Sequence, residues 1–118
     1  MFINLTNHPS SGWSEEQLRA AKQYGEVVDF GFPDVKPDMT SEEVCLLAEK
    51  LVKEIMLMSD GKTTSVHIMG EMTFTYAIVY RLKTLGVKCV ASTTERLVKM
   101  MSDGKKISEF KFVQFREY

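Results

Sequence analysis

The sequence predicts one α/β domain over residues 1–118: a mostly parallel, Rossmann-like sheet of about four strands, helices on both faces, and a C-terminal antiparallel β-hairpin. Three observations predict it. The apolar period alternates between two and about 3.6 along the chain, as it does when strands alternate with helices. Two helical stretches open on capping residues at the required spacing. From Thr93 onward the helical period stops, and two strand-like runs flank a "DG" turn.

Each element has a local reason. "MFINL" is a short strand, and "WSEEQLRAAKQYG" is a helix with Ser14 as N-cap, Gln17 three residues on and Gly25 as its stop. "EVVDFGF" is a second strand, ended by the two prolines of "PDVKPD", which obstruct any continuing regular element. In "TSEEVCLLAEKLVKEIMLM", Thr40 and Glu43 form a capping box, Val44, Leu47, Ala48, Leu51, Val52 and Ile55 share one face, and "SDGK" ends the helix. "TSVHIM" is the third strand, the helix after it ends near Gly86, and "VKCVAST" is the fourth strand. "TERLVKMM" and "ISEFKFVQFREY" then make the hairpin. If the strands take the common 2-1-3-4 order, winding reverses between strands one and three, and ligands of such sheets gather there, beyond the carboxyl ends of the strands.

At 118 residues and 44% hydrophobic, the chain can bury one core and has no room for two domains. Fifteen Lys plus Arg against sixteen Asp plus Glu leave a net charge of −1, so no overall positive field draws it onto duplex nucleic acid. Cys45 and Cys89 have no CxxC spacing and no neighbouring His to complete a zinc set, so they are expected to be free thiols and no metal or other cofactor is expected. No leader and no membrane span is legible, and a soluble, cytoplasmic protein is expected. The "NLT" sequon at residues 4–6 is read as chance.

The predicted crevice faces two polar loops, "NHPSSGW" after strand one and "MGEMT" after strand three. Gly70 would let a ligand approach the backbone, and the first turn of the next helix would offer free N–H groups to a phosphate. Thr73 and Thr75 add hydroxyls. Glu71 suits sugar hydroxyls or a base edge better than bare phosphate, and its structural alternative is a helix-capping role. His8, with Asn7, Ser10 and Ser11 around it, is the one histidine in a loop and is placed for acid–base work near neutral pH, its alternative being a surface turn residue. "STTER" adds Thr94 and Arg96 at the same edge, where Arg96 would clamp a phosphate or stand as a solvated charge. His67 is expected to pack against a neighbouring helix, Trp13 to staple the first helix, and the eight methionines to fill the core or form an association surface.

Taken together, "NHPSSGWSEEQ", "MGEMTFTYAIVYRLKTLGVKCVASTTER" and "FKFVQFREY" resemble the small single-domain CRISPR-associated Rossmann-fold (CARF-like) proteins, in particular the stand-alone ring nucleases. The resemblance spans nearly the whole chain and places His8, Gly70, Glu71, Thr94 and Arg96 on matching positions. The loop between "NH" and "WSEEQ" is longer than in that pattern, and the acid is Glu71 where Asp is equally expected. The resemblance implies a homodimer that binds a cyclic oligoadenylate, with cyclic tetra-adenylate foremost, across a two-fold axis. It further implies metal-independent cleavage by in-line attack of a ribose 2′-hydroxyl, leaving a 2′,3′-cyclic phosphate and switching off type III CRISPR signalling. His8 would then serve proton transfer or the leaving oxygen, Gly70 and the helix start the phosphate, Glu71 the ribose or adenine, and Thr94 and Arg96 the phosphates. A non-catalytic sensor of the same ligand, or a small nucleotide-binding protein of other function, would use the same residues.

Overall fold

The computed structural model describes residues 1–118. Strand β1 (Phe2–Leu5) leads through a 3₁₀ turn (Ser10–Gly12) to helix α1 (Glu15–Lys22) and strand β2 (Val27–Asp29). Then come α2 (Ser41–Ser59), β3 (Ser65–Ile68), α3 (Met72–Thr84), β4 (Lys88–Met100) and β5 (Lys106–Glu117). They build one five-stranded sheet in the order β2-β1-β3-β4-β5, parallel except for the antiparallel β4–β5 hairpin. The expected order of the first four strands is therefore the observed one.

The capping residues do the work their spacing implies. Ser14 Oγ accepts the Gln17 N–H at 3.2 Å. Thr40 Oγ1 accepts the Glu43 N–H at 3.1 Å while Glu43 Oε1 accepts the Thr40 N–H at 3.3 Å, so two otherwise orphaned donors are satisfied reciprocally. Asp60, at φ 44°, turns the chain out of α2, and Gly61 follows it.

Because side chains alternate across a strand, each strand feeds two cores. Ile3, Leu5, Val66, Ile68 and Cys89 point to one face and meet α2 (Val44, Ala48, Leu51, Val52, Ile55) and α3 (Phe74, Ala77, Ile78, Leu82). Phe2 and Val90 point to the other, where Ala21 of α1, Trp13, Tyr24 and Phe115 cover them. Two helices thus lie on one face and one on the other. No helix is long and apolar enough to cross a membrane.

The fourth strand departs from expectation. It does not end at Thr93 before a separate hairpin; β4 runs unbroken for 13 residues, with a register shift between Thr93 (opposite Gln114) and Thr94 (opposite Phe112). The extra residue on β5, Val113, is a bulge, which bends a ladder without ending it. Beyond it β4 and β5 leave the sheet as a two-stranded arm. The radius of gyration, 16.1 Å, accordingly exceeds the ~13–14 Å of a compact domain of this length, and the longest dimension is 52 Å.

The orientation of α2 is directly testable. Ile55 is fully buried and Leu57, two residues on, is exposed. In urea denaturation Ile55→Ala should cost about 2–5 kcal/mol, and Leu57→Ala less than about 0.5 kcal/mol.

Candidate functional site

A polar row crosses the sheet near the carboxyl ends of its strands. Asn4 of β1 stands opposite Asp29 of β2 on one side and His67 of β3 on the other, three polar residues in register within apolar strands. The Asn4 amide joins them. Its Nδ2 donates to Asp29 Oδ1 and to the His8 carbonyl, both at 2.8 Å. Its Oδ1 accepts the Thr6 hydroxyl at 2.8 Å and lies 3.1 Å from His67 Nδ1. Since Nδ2 donates to two acceptors, Oδ1 is the acceptor facing His67, which assigns the imidazole proton to Nδ1. His67 Nε2 is then a bare lone pair, buried without a partner among the rings of Phe2, Trp13 and Phe115. His67 therefore packs against sheet aromatics and the tryptophan ahead of α1, not against a helix. Burial, with a smaller push from His8, holds it neutral by lowering its pKa to about 4.

The loop after β1 hangs from this row by its backbone. The His8 carbonyl also accepts the Trp13 indole N–H at 3.1 Å, and Thr6 Oγ1 accepts the His8 N–H at 3.1 Å. Ser10 donates its N–H to Asp29 Oδ1 at 3.0 Å and its hydroxyl to Oδ2 at 2.8 Å. Burial pushes the Asp29 carboxyl up, but the hydrogen bonds from Asn4 and Ser10 outweigh it and hold the pKa below the usual range. The imidazole of His8 makes no hydrogen bond, and it stands exposed beside exposed Asn7 and Ser11.

On the neighbouring strand, the start of α3 is already occupied. Glu71 is the N-cap: Oε1 accepts the Thr73 N–H at 3.1 Å and Oε2 the Phe74 N–H at 2.8 Å. The Thr73 hydroxyl donates to the same carboxylate at 2.7–2.8 Å. These bonds, the Phe74 N–H foremost, lower the pKa of Glu71. The donors that the sequence offered to a phosphate are thus taken by a side chain. At Gly70 the Phe32 ring fills the side where a Cβ would stand, while the backbone borders the groove between α3 and the C-terminus. Phe32, which also packs edge-on to Phe74, arrives because the chain leaving β2 crosses the end of β1, where the Asn4 carbonyl accepts the Phe30 N–H at 2.9 Å.

Thr94 and Arg96 lie elsewhere. His67 is level with Val90, so at ~3.3 Å per residue Thr94 stands roughly 10 Å and Arg96 roughly 17 Å beyond the end of β3. Arg96 donates to Ser108 Oγ at 3.0 and 3.3 Å across the arm. Within one chain neither residue reaches His8 or Glu71, because β4 continues without the break expected after Thr93. On the other side of Gly70 lies a groove of about 530 Å³ between α3 and the C-terminus, bounded by Met69, Met72, Thr75, Tyr76, Lys83 and Tyr118. Thr75 Oγ1 is buried there without a partner. Tyr118 closes the groove, its hydroxyl donating to the Ile68 carbonyl at 2.6 Å while Lys83 Nζ donates to the Tyr118 carbonyl at 2.8 Å. No three His, Cys, Asp or Glu side chains converge at metal-binding spacing.

A family model described as the uncharacterized protein MJ1673 family matches residues 1–116. The chain belongs to that family. No curated protein and no solved structure matches it. In this member of the MJ1673 family, Asn4, Asp29 and Phe32 organise this end of the sheet although the sequence did not single them out, and His8, Ser10 and Glu71, which it did single out, lie beside them. The signal for the first two was a single polar residue interrupting each apolar strand, "FINL" and "VVDF".

Two outcomes follow from this packing. His67 has a folded pKa of about 4 against 6.5 when unfolded, so between those values the unfolded chain binds the extra proton. Stability should be steady above pH 6.5 and fall by about 3 kcal/mol as pH drops to 4, by chemical denaturation at each pH. His67→Leu should flatten that slope. Gly70→Ala should destabilise the wild type by about 1–3 kcal/mol, and by distinctly less in a Phe32→Ala background, where the obstructing ring is gone.

Proposed function

We propose that two copies of the chain, a Rossmann-like domain of CARF type acting in the cytoplasm, bind a cyclic oligoadenylate and cleave it without a metal, with cyclic tetra-adenylate as the foremost ligand. Cleavage would switch off type III CRISPR signalling. The single observation that carries this reading is the His8 loop, held in place by the Asp29–Asn4–His67 row while leaving the imidazole in solvent at the β1/β3 end of the sheet. Winding reverses there, so a ligand meets the ends of two neighbouring strands. The sequence resemblance to stand-alone ring nucleases supports the ligand class.

In this reading the ribose 2′-hydroxyl attacks the phosphorus in line and gives its proton to solvent, the P–O5′ bond breaks, and His8, presented by the fixed loop, donates a proton to the leaving 5′-oxygen and is reprotonated from solvent. Asn7, Ser10 and Ser11 supply polar contacts to the ring. Glu71 acts from the cap position, its outward oxygen lone pairs accepting from ribose or adenine, and Thr73 holds the carboxylate in that orientation. Gly70, under Phe32, serves packing; Thr94 and Arg96 serve phosphate contact only when supplied by a second copy.

Binding without cleavage is favoured by one observation, since no hydrogen bond orients the His8 imidazole as an acid–base group. The deciding experiment incubates labelled cyclic tri-, tetra- and hexa-adenylate with the protein in EDTA and resolves the products. The expected result is conversion of the tetramer to fragments ending in 2′,3′-cyclic phosphate. His8→Ala should slow it by about 10²–10⁴-fold while calorimetric affinity stays close to wild type. Tight binding with no product establishes a sensor, and absence of binding to all three rings removes the ligand class.

A further inference from the structure

Two apolar surfaces of this chain are left uncovered. The first is the arm beyond the bulge. Its cross-strand pairs put Thr94, Arg96, Val98 and Met100 on one face with Phe110 and Ser108. Val98, Met100 and Phe110 on that face are 53, 66 and 68% exposed. A two-stranded ribbon with no layer against either face is marginal in water. The second is the outer ridge of α3, where Met72, Tyr76 and Tyr80 recur every four residues at 83, 73 and 63% exposure. Grooves run along the ridge on either side, one bounded by Tyr118 and the other by α2 through Val44, Cys45 and Glu49.

We propose that the occupant of each surface is the other one on a second copy of the chain: the arm of one copy lies along the α3 ridge of its partner, and the exchange is reciprocal about a two-fold axis. Two observations single out a second copy. The first is area. The three aromatic rings present roughly 150–250 Å² each when free and the Val and Met side chains less, so one arm-on-ridge contact that covers all six removes at most on the order of 800 Å², and the two-fold pair at most roughly 1,600 Å², the size of a stable specific interface. Neither surface alone would reach that figure.

The second is charge. Residues 1–60 carry 11 acids against 5 bases, whereas residues 61–118 carry 10 bases against 5 acids. The arm contributes Arg96, Lys99, Lys105, Lys106 and Lys111 against Glu95, Asp103 and Glu109. Beside the ridge, α2 carries Glu42, Glu43 and Glu49 in exposed positions, Glu49 3.6 Å from Arg81, while Lys53 and Lys83 border the same grooves, so the acidic end of the ridge is the start of α2. A chain of nearly zero net charge that separates its charges between halves complements itself when two copies pair with the halves opposed. A two-fold axis makes such a contact occur twice and closes it, so the association stops at two. The inference rests on the pairing of copies in the proposed function: a monomeric wild type removes both, whereas an arm variant that stays dimeric removes this interface alone and leaves the ring-binding reading standing.

Light scattering after gel filtration at 50 µM, without nucleotide, should give twice the 13.5 kDa chain mass for the wild type. Val98→Glu/Phe110→Glu on the arm, and separately Tyr76→Glu/Tyr80→Glu on the ridge, should each give the single-chain mass. Every substituted position is exposed, so circular dichroism and the melting transition should stay those of a folded domain, and that control separates lost pairing from lost folding. Mixing the two variants leaves one intact arm and one intact ridge, and should restore a two-chain species with a higher dissociation constant. A monomeric wild type overturns the proposal. So does an arm variant that stays dimeric, which would place the interface on ridge against ridge, or a mixture that remains two monomers.

Discussion

The side-chain amide of Asn4 is the constraint on which the site depends. It is buried, so each of its polar atoms must be satisfied or cost about 1–3 kcal/mol. All are satisfied, by a carboxylate, a backbone carbonyl, a hydroxyl and an imidazole. In meeting that requirement the amide ties β2, β1 and β3 together at one level, sets the tautomer of His67, and anchors the loop that carries His8. The same residue's backbone carbonyl steers the chain leaving β2 across the end of β1, which brings Phe32 to Gly70. A buried polar row thereby positions both loops at the β1/β3 edge.

Helix α3 shows how a local choice changes the chemistry available to a site. A helix start attracts anions because its first N–H groups are unpaired and its dipole is positive there. In this chain the anion is built in. Glu71 caps those donors, and its hydrogen bonds hold it in the charged form. An incoming phosphate would have to displace a carboxylate that is tethered at the spot, whereas a hydroxyl or an exocyclic amine can donate to that carboxylate and leave the cap intact.

The arm has a similar logic at larger scale. A bulge at Thr93/Thr94 lets β4 and β5 stay paired after the sheet has ended, so the ladder continues where no third strand or helix can cover it. The ribbon's own hydrogen bonds are satisfied, and Lys99–Glu109 at 3.6 Å adds an exposed ion pair worth little. What remains unsatisfied is apolar side-chain area. It is carried by residues that, in sequence, look no different from the members of an ordinary half-buried hairpin.

The sequence by itself determined what depends on neighbours a few residues apart. Ser14 with Gln17, Thr40 with Glu43, and the stop at "SDGK" are i to i+3 relations that act wherever the chain lies, and alternation within each strand set which residues faced a helix. The β–α alternation and the C-terminal hairpin were legible for the same reason, whereas the 2-1-3-4 order was only the common arrangement until strand pairing decided it. Tertiary structure alone decided the rest. Whether "VKCVAST" and "TERLVKMM" were two strands or one depended on β5 pairing along both, from Val90 with Glu117 to Met100 with Lys106. Whether Gly70 faced a ligand or a ring depended on Phe32, brought from another strand's end. Asn4, Asp29 and His67 are separated along the chain by 25 and 63 residues from Asn4, and only pairing of three strands makes them one network. Local hydrogen-bond geometry is written in spacing; partners that meet through the sheet are not.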